Sequence, residues 1–445
     1  MKLLDEKALG AVAELACARA KKKGASAAAA RIGATKKDRI VLRDGKKEEV
    51  KSSIARSLTI KLYVDGRYAS HSTSVLDDKK ALERFIDDAV EMTRLLAADA
   101  KRQLPDPKHY AGRSKKDLGL YVAEQTTFAG RVARAKAAHD AARTAAGDKL
   151  LSVGAGASDY VGLTLMRTTN GFADSERSSS AWVWASVSIK DPSGRRPSDW
   201  DQAGARGSAG LSADAAAAVG KRAAERTLAT LGADKAKTMT LPVIVENRAV
   251  GRLLYGLFAP LSGWALDQKR SCFEDAIGKV IASSKLDLID DPLLEGAWGS
   301  RRFDGEGLTA RRRHIVKGGK LAGYYLDSYY ARKLGKEPTG GGRSNIVFSP
   351  GEGTLDALLK AAGKAVLVTN FLGGNSNSTT GDFSHGISGF VIEGGKRARP
   401  IASMNIAGNH GELWKTLTGW GADAYAYSSV RAPSLVFAPM VVSGK

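Results

Sequence analysis

Cysteine is nearly absent from this 445-residue chain: Cys17 and Cys272 are the two thiols. That excludes a disulfide-stapled scaffold and a zinc module built on cysteine. Long apolar runs are also missing, and none approaches the roughly 20 residues needed to span a bilayer. The opening Met1-Lys2-Leu3-Leu4-Asp5-Glu6 turns acidic before an apolar segment can build, so the expectation is a cytoplasmic chain with no secretory signal. The six histidines are His71, His109, His139, His314, His385 and His410, and no two share the short spacing that puts two imidazoles on one metal from a helix. Gly-x-Ser-x-Gly elbows, phosphate loops and dinucleotide fingerprints are absent as well.

What is present is ordinary globular composition with a surplus of cations. Apolar residues make up 43% and charged residues 26%, the balance of a soluble domain protein. The length predicts two to three domains of about 150 residues each. Lys and Arg number 68 against 47 Asp and Glu, a formal charge of +21. Such a field favours nucleic acid, anionic surfaces or acidic proteins. The cations are dispersed, however, with short clusters at Lys21-Lys22-Lys23, Lys46-Lys47 and Arg311-Arg312-Arg313, which reads as a solvated basic surface.

Residues 4–23 predict a helix, with Leu9, Val12, Leu15 and Ala16 on one face and Gly24 as its stop. Two hairpins follow at Asp44-Gly45 and Asp65-Gly66, dipeptides that accept the positive φ of two-residue turns. A second helix spans about residues 77–99. The two prolines of Leu104-Pro105-Asp106-Pro107 deny backbone donors to any ladder and mark a connection. A second helix–hairpin–helix block then covers residues 127–146, a hairpin at Asn170-Gly171, and a helix over 212–231 stopped by Gly232. Residues 203–210 read as a loop.

Beyond Leu241 short strands alternate with glycine-rich turns such as Gly340-Gly341-Gly342 and Gly373-Gly374, the signature of a curved or barrel-like sheet. The predicted fold class is therefore α+β, with a helix and antiparallel-sheet region followed by a β-rich, barrel-like C-terminal domain. The expected boundaries are 1–110, 111–236 and 237–445. In the polar cluster from Asn375 to Gly386, Ser384 and His385 are neighbours on a strand and point to opposite faces, so they do not form a nucleophile and base pair. A polar turn held by Asx hydrogen bonds is the simpler reading. Both thiols are expected to be buried and inert.

Four stretches of the second half resemble the TldD/PmbA family, known as modulators of DNA gyrase and as metalloprotease subunits. They are Phe303-Asp304-Gly305-Glu306-Gly307-Leu308 with Arg313 to Leu321; Tyr329 to Gly335 with Thr339-Gly340; Thr380-Gly381-Asp382-Phe383-Ser384-His385-Gly386 continuing to Glu393; and Ile406-Ala407-Gly408-Asn409. In that family the catalytic branch carries His-Glu-x-x-x-His, two zinc ligands and a general base. Here its register falls on Asn247-Arg248-Ala249-Val250-Gly251-Arg252. An amide and two guanidinium groups replace the ligands and the base, and arginine neither coordinates a metal nor accepts a proton. The stretch Ser428 to Ser434, where the catalytic branch supplies a cysteine, has none.

The resemblance implies the PmbA (TldE) branch: a non-catalytic subunit that completes the closed cavity of a protease for unfolded or modified peptides. It implies no cofactor in this chain, zinc in a TldD-type partner alone, and a heterodimer with that partner or a homodimer without it. Asn247, Arg248 and Arg252 are then the degenerate metal-motif positions. Thr380, Asp382, Phe383, Ser384 and His385 are the expected peptide-binding strand, acting by strand addition. Two alternatives stay open: a basic protein that binds nucleic acid or DNA gyrase, and an independent enzyme using His385, Asp382 or Arg252.

Overall fold

The first helix, α1 (Glu6–Lys22), begins where Asp5 accepts a hydrogen bond from the Ala8 amide at 3.0 Å. It ends in a basic last turn with Gly24 at φ +94°, so side chain and charge both favour its direction. In the computed structural model residues 4–124 and 126–445 are described; the opening tripeptide of the signal argument lies outside them. By its contacts the chain forms two compact units, residues 1–189 with 198–225 and 301–310, and residues 190–197 with 226–300 and 311–445.

In the first unit, β1 (Ala27–Arg43) and β2 (Lys46–Val64) meet at Asp44-Gly45, with φ of 49° and 83°. β2 and β3 (Arg67–Thr73) meet at Asp65-Gly66, with φ of 49° and 73°. These are the left-handed pairs that a two-residue hairpin demands. α2 (Lys79–Arg94) and α3 (Phe128–Ala146) follow, then β4 (Leu150–Thr168), β5 (Ala173–Ile189), β6 (Ser198–Ala205) and α4 (Ala213–Leu228). The expected loop over 203–210 is shorter than predicted. Residues 203–205 complete β6 and pair with 181–183, because Ala203 fills a buried site on the alternating pattern.

The six strands form one antiparallel sheet in the order β3-β2-β1-β4-β5-β6. The β1–β4 ladder, from Ala29↔Thr168 to Arg43↔Gly154, joins the two sequence blocks edge to edge. Alternation decides the faces. Ala28, Ala30 and Ile32 of β1, with Leu58, Ile60 and Leu62 of β2, pack under α1 and α2. Ile40 and Leu42 pack with Ala135 of α3. All three helices thus share one side.

The second unit carries β7 (Met239–Val245), α5 (Val250–Phe258), α6 (Gly263–Asp267), β8 (Leu288–Asp290), β9 (Arg313–Lys317), β10 (Lys320–Leu321) and α7 (Ser328–Lys333). It continues with β11 (Ile346–Phe348), α8 (Leu355–Ala362), β12 (Ala365–Ser376), β13 (Asp382–Glu393), β14 (Lys396–Asn409), α9 (His410–Leu413), β15 (Leu417–Trp420), β16 (Val430–Arg431) and β17 (Leu435–Ser443).

Strands run in the order β14-β13-β12-β7-β17, and β14 pairs with β17 through Asn405↔Ser443 and Ile406↔Val442. The sheet is thereby closed into a five-stranded barrel, as the glycine-rich pattern implied. β7 is parallel to β12 (Val366↔Val243) and antiparallel to β17 (Leu435↔Val245). Its Val243 and Val245 enter the main core while Ile244 packs outward with Leu359. Burial on both faces explains why the end of β7, Val243-Ile244-Val245, is an unbroken apolar run. Register shifts at Val368/Asn370 and Phe371/Gly373 bend β12, where Gly374 sits at φ +116° against His385 and the Ser384 carbonyl. Among the described residues no helix is long and apolar enough to cross a membrane.

Candidate functional site

The end of β7 fixes the motif positions. Glu246, 6% exposed, receives both terminal nitrogens of Arg226 at 2.7 Å. Asn247 follows, and its Nδ2 donates to the Asp423 carbonyl at 2.5 Å. Its backbone amide donates to Ser434 Oγ at 3.1 Å, and that hydroxyl donates to Asp423 Oδ2 at 2.7 Å. Ser434 is fully buried, and this small network satisfies its hydroxyl and the Asn247 amide at the turn before α5. Arg248 is half-buried in the same turn. Arg252, exposed on the first turn of α5, donates to the Gly374 carbonyl of β12 at 2.6 Å. Asn247 and Arg252 therefore hold different segments and do not converge on one point.

Beside Arg252 lies a pair of buried histidines. His385 on β13 and His410 at the start of α9 are each 1% exposed. Their Nε2 atoms lie 3.3 and 3.2 Å from Ser376 Oγ. Phe383 packs against both rings, its centroid 5.5 Å from that of His385 and 4.7 Å from that of His410. Burial pushes His410 down to about 4, helped by His385, and burial with the Arg252 charge pushes His385 down. Both rings are neutral near pH 7. A hydroxyl has one proton, so Ser376 donates to one imidazole and accepts from the other, which fixes opposite tautomers. Nδ1 of each ring has no hydrogen-bond partner among the described residues. α5 approaches this cluster through Gly256, where a Cβ would collide with the His410 ring.

The expected peptide-binding residues divide by strand alternation. Asp382 and Ser384 are exposed, as is Thr380 in the preceding turn, whereas Phe383 and His385 point inward. The turn is held as predicted, with Asn377 Oδ1 accepting from Thr379 and Thr380 amides at 2.9 and 3.4 Å. Strand addition at β13 is corrected: its residues 383–386 pair with β12 on one edge and 382–387 with β14 on the other. Neither edge is available to a further strand. Cys17 is buried as expected, but Cys272 is only partly so; burial raises both thiols to about 11. Sequence reasoning missed Ser376, His410, Gly256, Asp423 and Ser434. Only the tertiary fold brings them to His385 and Asn247, although His410 directly follows the family-like stretch Ile406 to Asn409.

An antiparallel six-stranded sheet with helices on one side and a closed five-stranded barrel define the class: an α+β architecture. The profiles named PmbA/TldA metallopeptidase domain 1, central domain and C-terminal domain match residues 28–93, 121–231 and 238–444. The chain belongs to the PmbA/TldD metallopeptidase family.

It is 36% identical to a Bacteroides thetaiotaomicron protein whose crystal structure carries the name modulator of DNA gyrase, covering all of both chains with a TM-score of 0.95. It is 29% identical over 408 residues to the metalloprotease PmbA of Escherichia coli O157:H7, covering 91% of this chain and 89% of that one. TldE from Thermococcus kodakarensis shares the fold, at 19% identity and a TM-score of 0.86 over 97% of this chain and 100% of that one.

The family name implies a metal, and the donor set at the motif does not fit one. The amide of Asn247 is committed to the Asp423 carbonyl, Arg248 and Arg252 offer no lone pair, and two guanidinium charges oppose a cation. No group of three or more His, Cys, Asp or Glu is gathered among the described residues.

Proposed function

We propose that this chain is the non-catalytic subunit of a cytoplasmic TldD/TldE-type protease for unfolded or modified peptides. It pairs with a TldD-type chain that carries the zinc, or with a second copy of itself where that chain is absent. The observation that carries the reading is the hydrogen-bonded set of Asn247, Asp423 and Ser434. At the motif position Asn247 ties the end of β7 to Asp423 and Ser434, while Arg252 reaches the Gly374 carbonyl of β12.

Peptide contact is best supported on β12. Its pairing with β7 stops at Val368, so along residues 369–376 the edge away from β13 has Arg252, on the Gly374 carbonyl, as its partner among the described residues. Gly373 and Gly374 add no side chains there, and an extended peptide can use such an edge while Asp382 and Ser384 contact it from the neighbouring strand. The test is metal content and digestion of an unfolded peptide, for the chain alone and then with a TldD-type partner. The expected result is no zinc and no cleavage alone, with activity in the complex. Stoichiometric zinc and proteolysis by the single chain would overturn the proposal.

A further inference from the structure

The side of the six-stranded sheet opposite the helices carries a feature unrelated to the barrel site. Its side chains come from the odd positions of β1 and β2 and the even positions of β4, β5 and β6. On this face Tyr160 pairs across from Ser180, Trp182 follows on β5, Trp184 is next, and Trp200 lies diagonally beyond it through the Ser186↔Trp200 pair. Strand geometry puts successive members of this row about 7–8 Å apart. Trp200 is 45% exposed and the other three are partly exposed.

The rings have bare backbone beneath them. A Cβ added at Gly156 would meet Trp184 Nε1 at 2.6 Å, one at Gly204 would meet the Trp182 ring at 2.7 Å, and one at Gly162 would collide with Tyr160. Aromatic rings over strand glycines shield exposed backbone, and that structural role accounts for the glycines. It does not account for the charge beside them. Lys37 is the direct cross-strand neighbour of Tyr160, and Arg39 lies 5.9 Å from the Trp184 ring centroid with Lys51 across from it. Arg39 reaches Glu49 at 3.4 Å, while no carboxylate pairs with Lys37 or Lys51 among the described residues.

We propose that this open face is a binding site for single-stranded nucleic acid. Planar groups stack on the aromatic row, and phosphates lie along the Lys37, Arg39 and Lys51 column. A row of rings alone would suit any flat or apolar ligand; the two lysines beside it, Lys37 and Lys51, without a carboxylate partner among the described residues, favour one that is anionic. This is the combination used by sheet-based single-strand binders.

The experiment titrates the full chain with a fluorescently labelled oligo(dT) of about 20 nucleotides at roughly 50 and 200 mM salt, beside a duplex of equal length. Expected is binding that weakens with salt, with the duplex weaker because its bases are already stacked. Y160A and W200A, whose rings stand at the two ends of the row, each weaken binding about tenfold. K37E/K51E, at exposed positions, reduces affinity and flattens the salt slope by about 0.7 for each phosphate that is no longer neutralised. Circular dichroism confirms that each variant is folded. No binding at low salt, equal binding of the duplex, or an unchanged K37E/K51E variant would overturn the assignment. So would an acidic unfolded peptide that binds the same residues more tightly than the oligonucleotide, which would make the face a peptide surface.

Discussion

Removing Arg226 tests how the end of β7 is held. Glu246 is 8% exposed at its side chain and Arg226 22%, and the two form a bidentate pair at 2.7 Å. In R226A the carboxylate stays buried with its principal partner gone. Breaking a buried pair costs about 3–5 kcal/mol, and partial exposure of the guanidinium lowers this to about 2–4 kcal/mol. For a unit of this size, a loss of about 3 kcal/mol lowers the melting temperature by roughly 6–12 °C. Replacing both groups by apolar residues, R226M/E246L, removes the stranded charge and should return to within about 1 kcal/mol of the parent. Urea unfolding gives the stability, and peptide-resolved hydrogen exchange over β7 and α5 localises it. A loss below about 1 kcal/mol in R226A, or a double variant as damaged as the single one, would refute the reasoning.

Stability should depend on pH through the buried histidines. His410 titrates near 4 in the folded chain against about 6.5 unfolded, so the unfolded state binds more protons between these values and stability falls as pH drops from about 6.5 to 4. The loss is about 3 kcal/mol from His410, with His385 adding in the same direction; urea midpoints at pH 7 and 4.5 measure it, and a flat profile contradicts it. G256A gains up to about 1 kcal/mol of helix propensity but drives a methyl into the His410 ring, for a net loss of about 1–2 kcal/mol; a variant as stable as the parent would show that the ring moves freely. S434A removes the hydroxyl joining the Asn247 amide to Asp423 and should lose about 1–3 kcal/mol, readable as faster amide exchange at Asn247.

Local signals in the sequence carried the first unit far. Asp44-Gly45 and Asp65-Gly66 adopt the left-handed pairs their chemistry predicts, and α1, α2, α3 and α4 fall within a few residues of their periodic segments. The β1–β4 ladder was not legible, because pairing more than a hundred residues apart leaves no short-range signature. In the barrel, glycine spacing announced curvature, but closure through Asn405↔Ser443 depends on strand order. Alternation placed Ser384 and His385 on opposite faces correctly. It gave no hint that His385 meets His410 through Ser376, since that contact depends on how β12, β13 and α9 pack. The edges of β13 were misjudged for the same reason: a polar strand resembles an outer one until its neighbours are known.

The placement of β7 sets a timetable for synthesis. Its two barrel neighbours, β12 and β17, are encoded about 120 and 190 residues later. At translation rates of about 5–20 residues per second, the apolar Val243-Ile244-Val245 strand waits roughly 10–40 seconds with one or both edges unmatched. During that interval it is the segment of this unit most exposed to pairing with another nascent chain. A holding chaperone on the ribosome would have its clearest target there, and slowing elongation downstream of β7 should lower the yield of folded protein more than slowing it upstream.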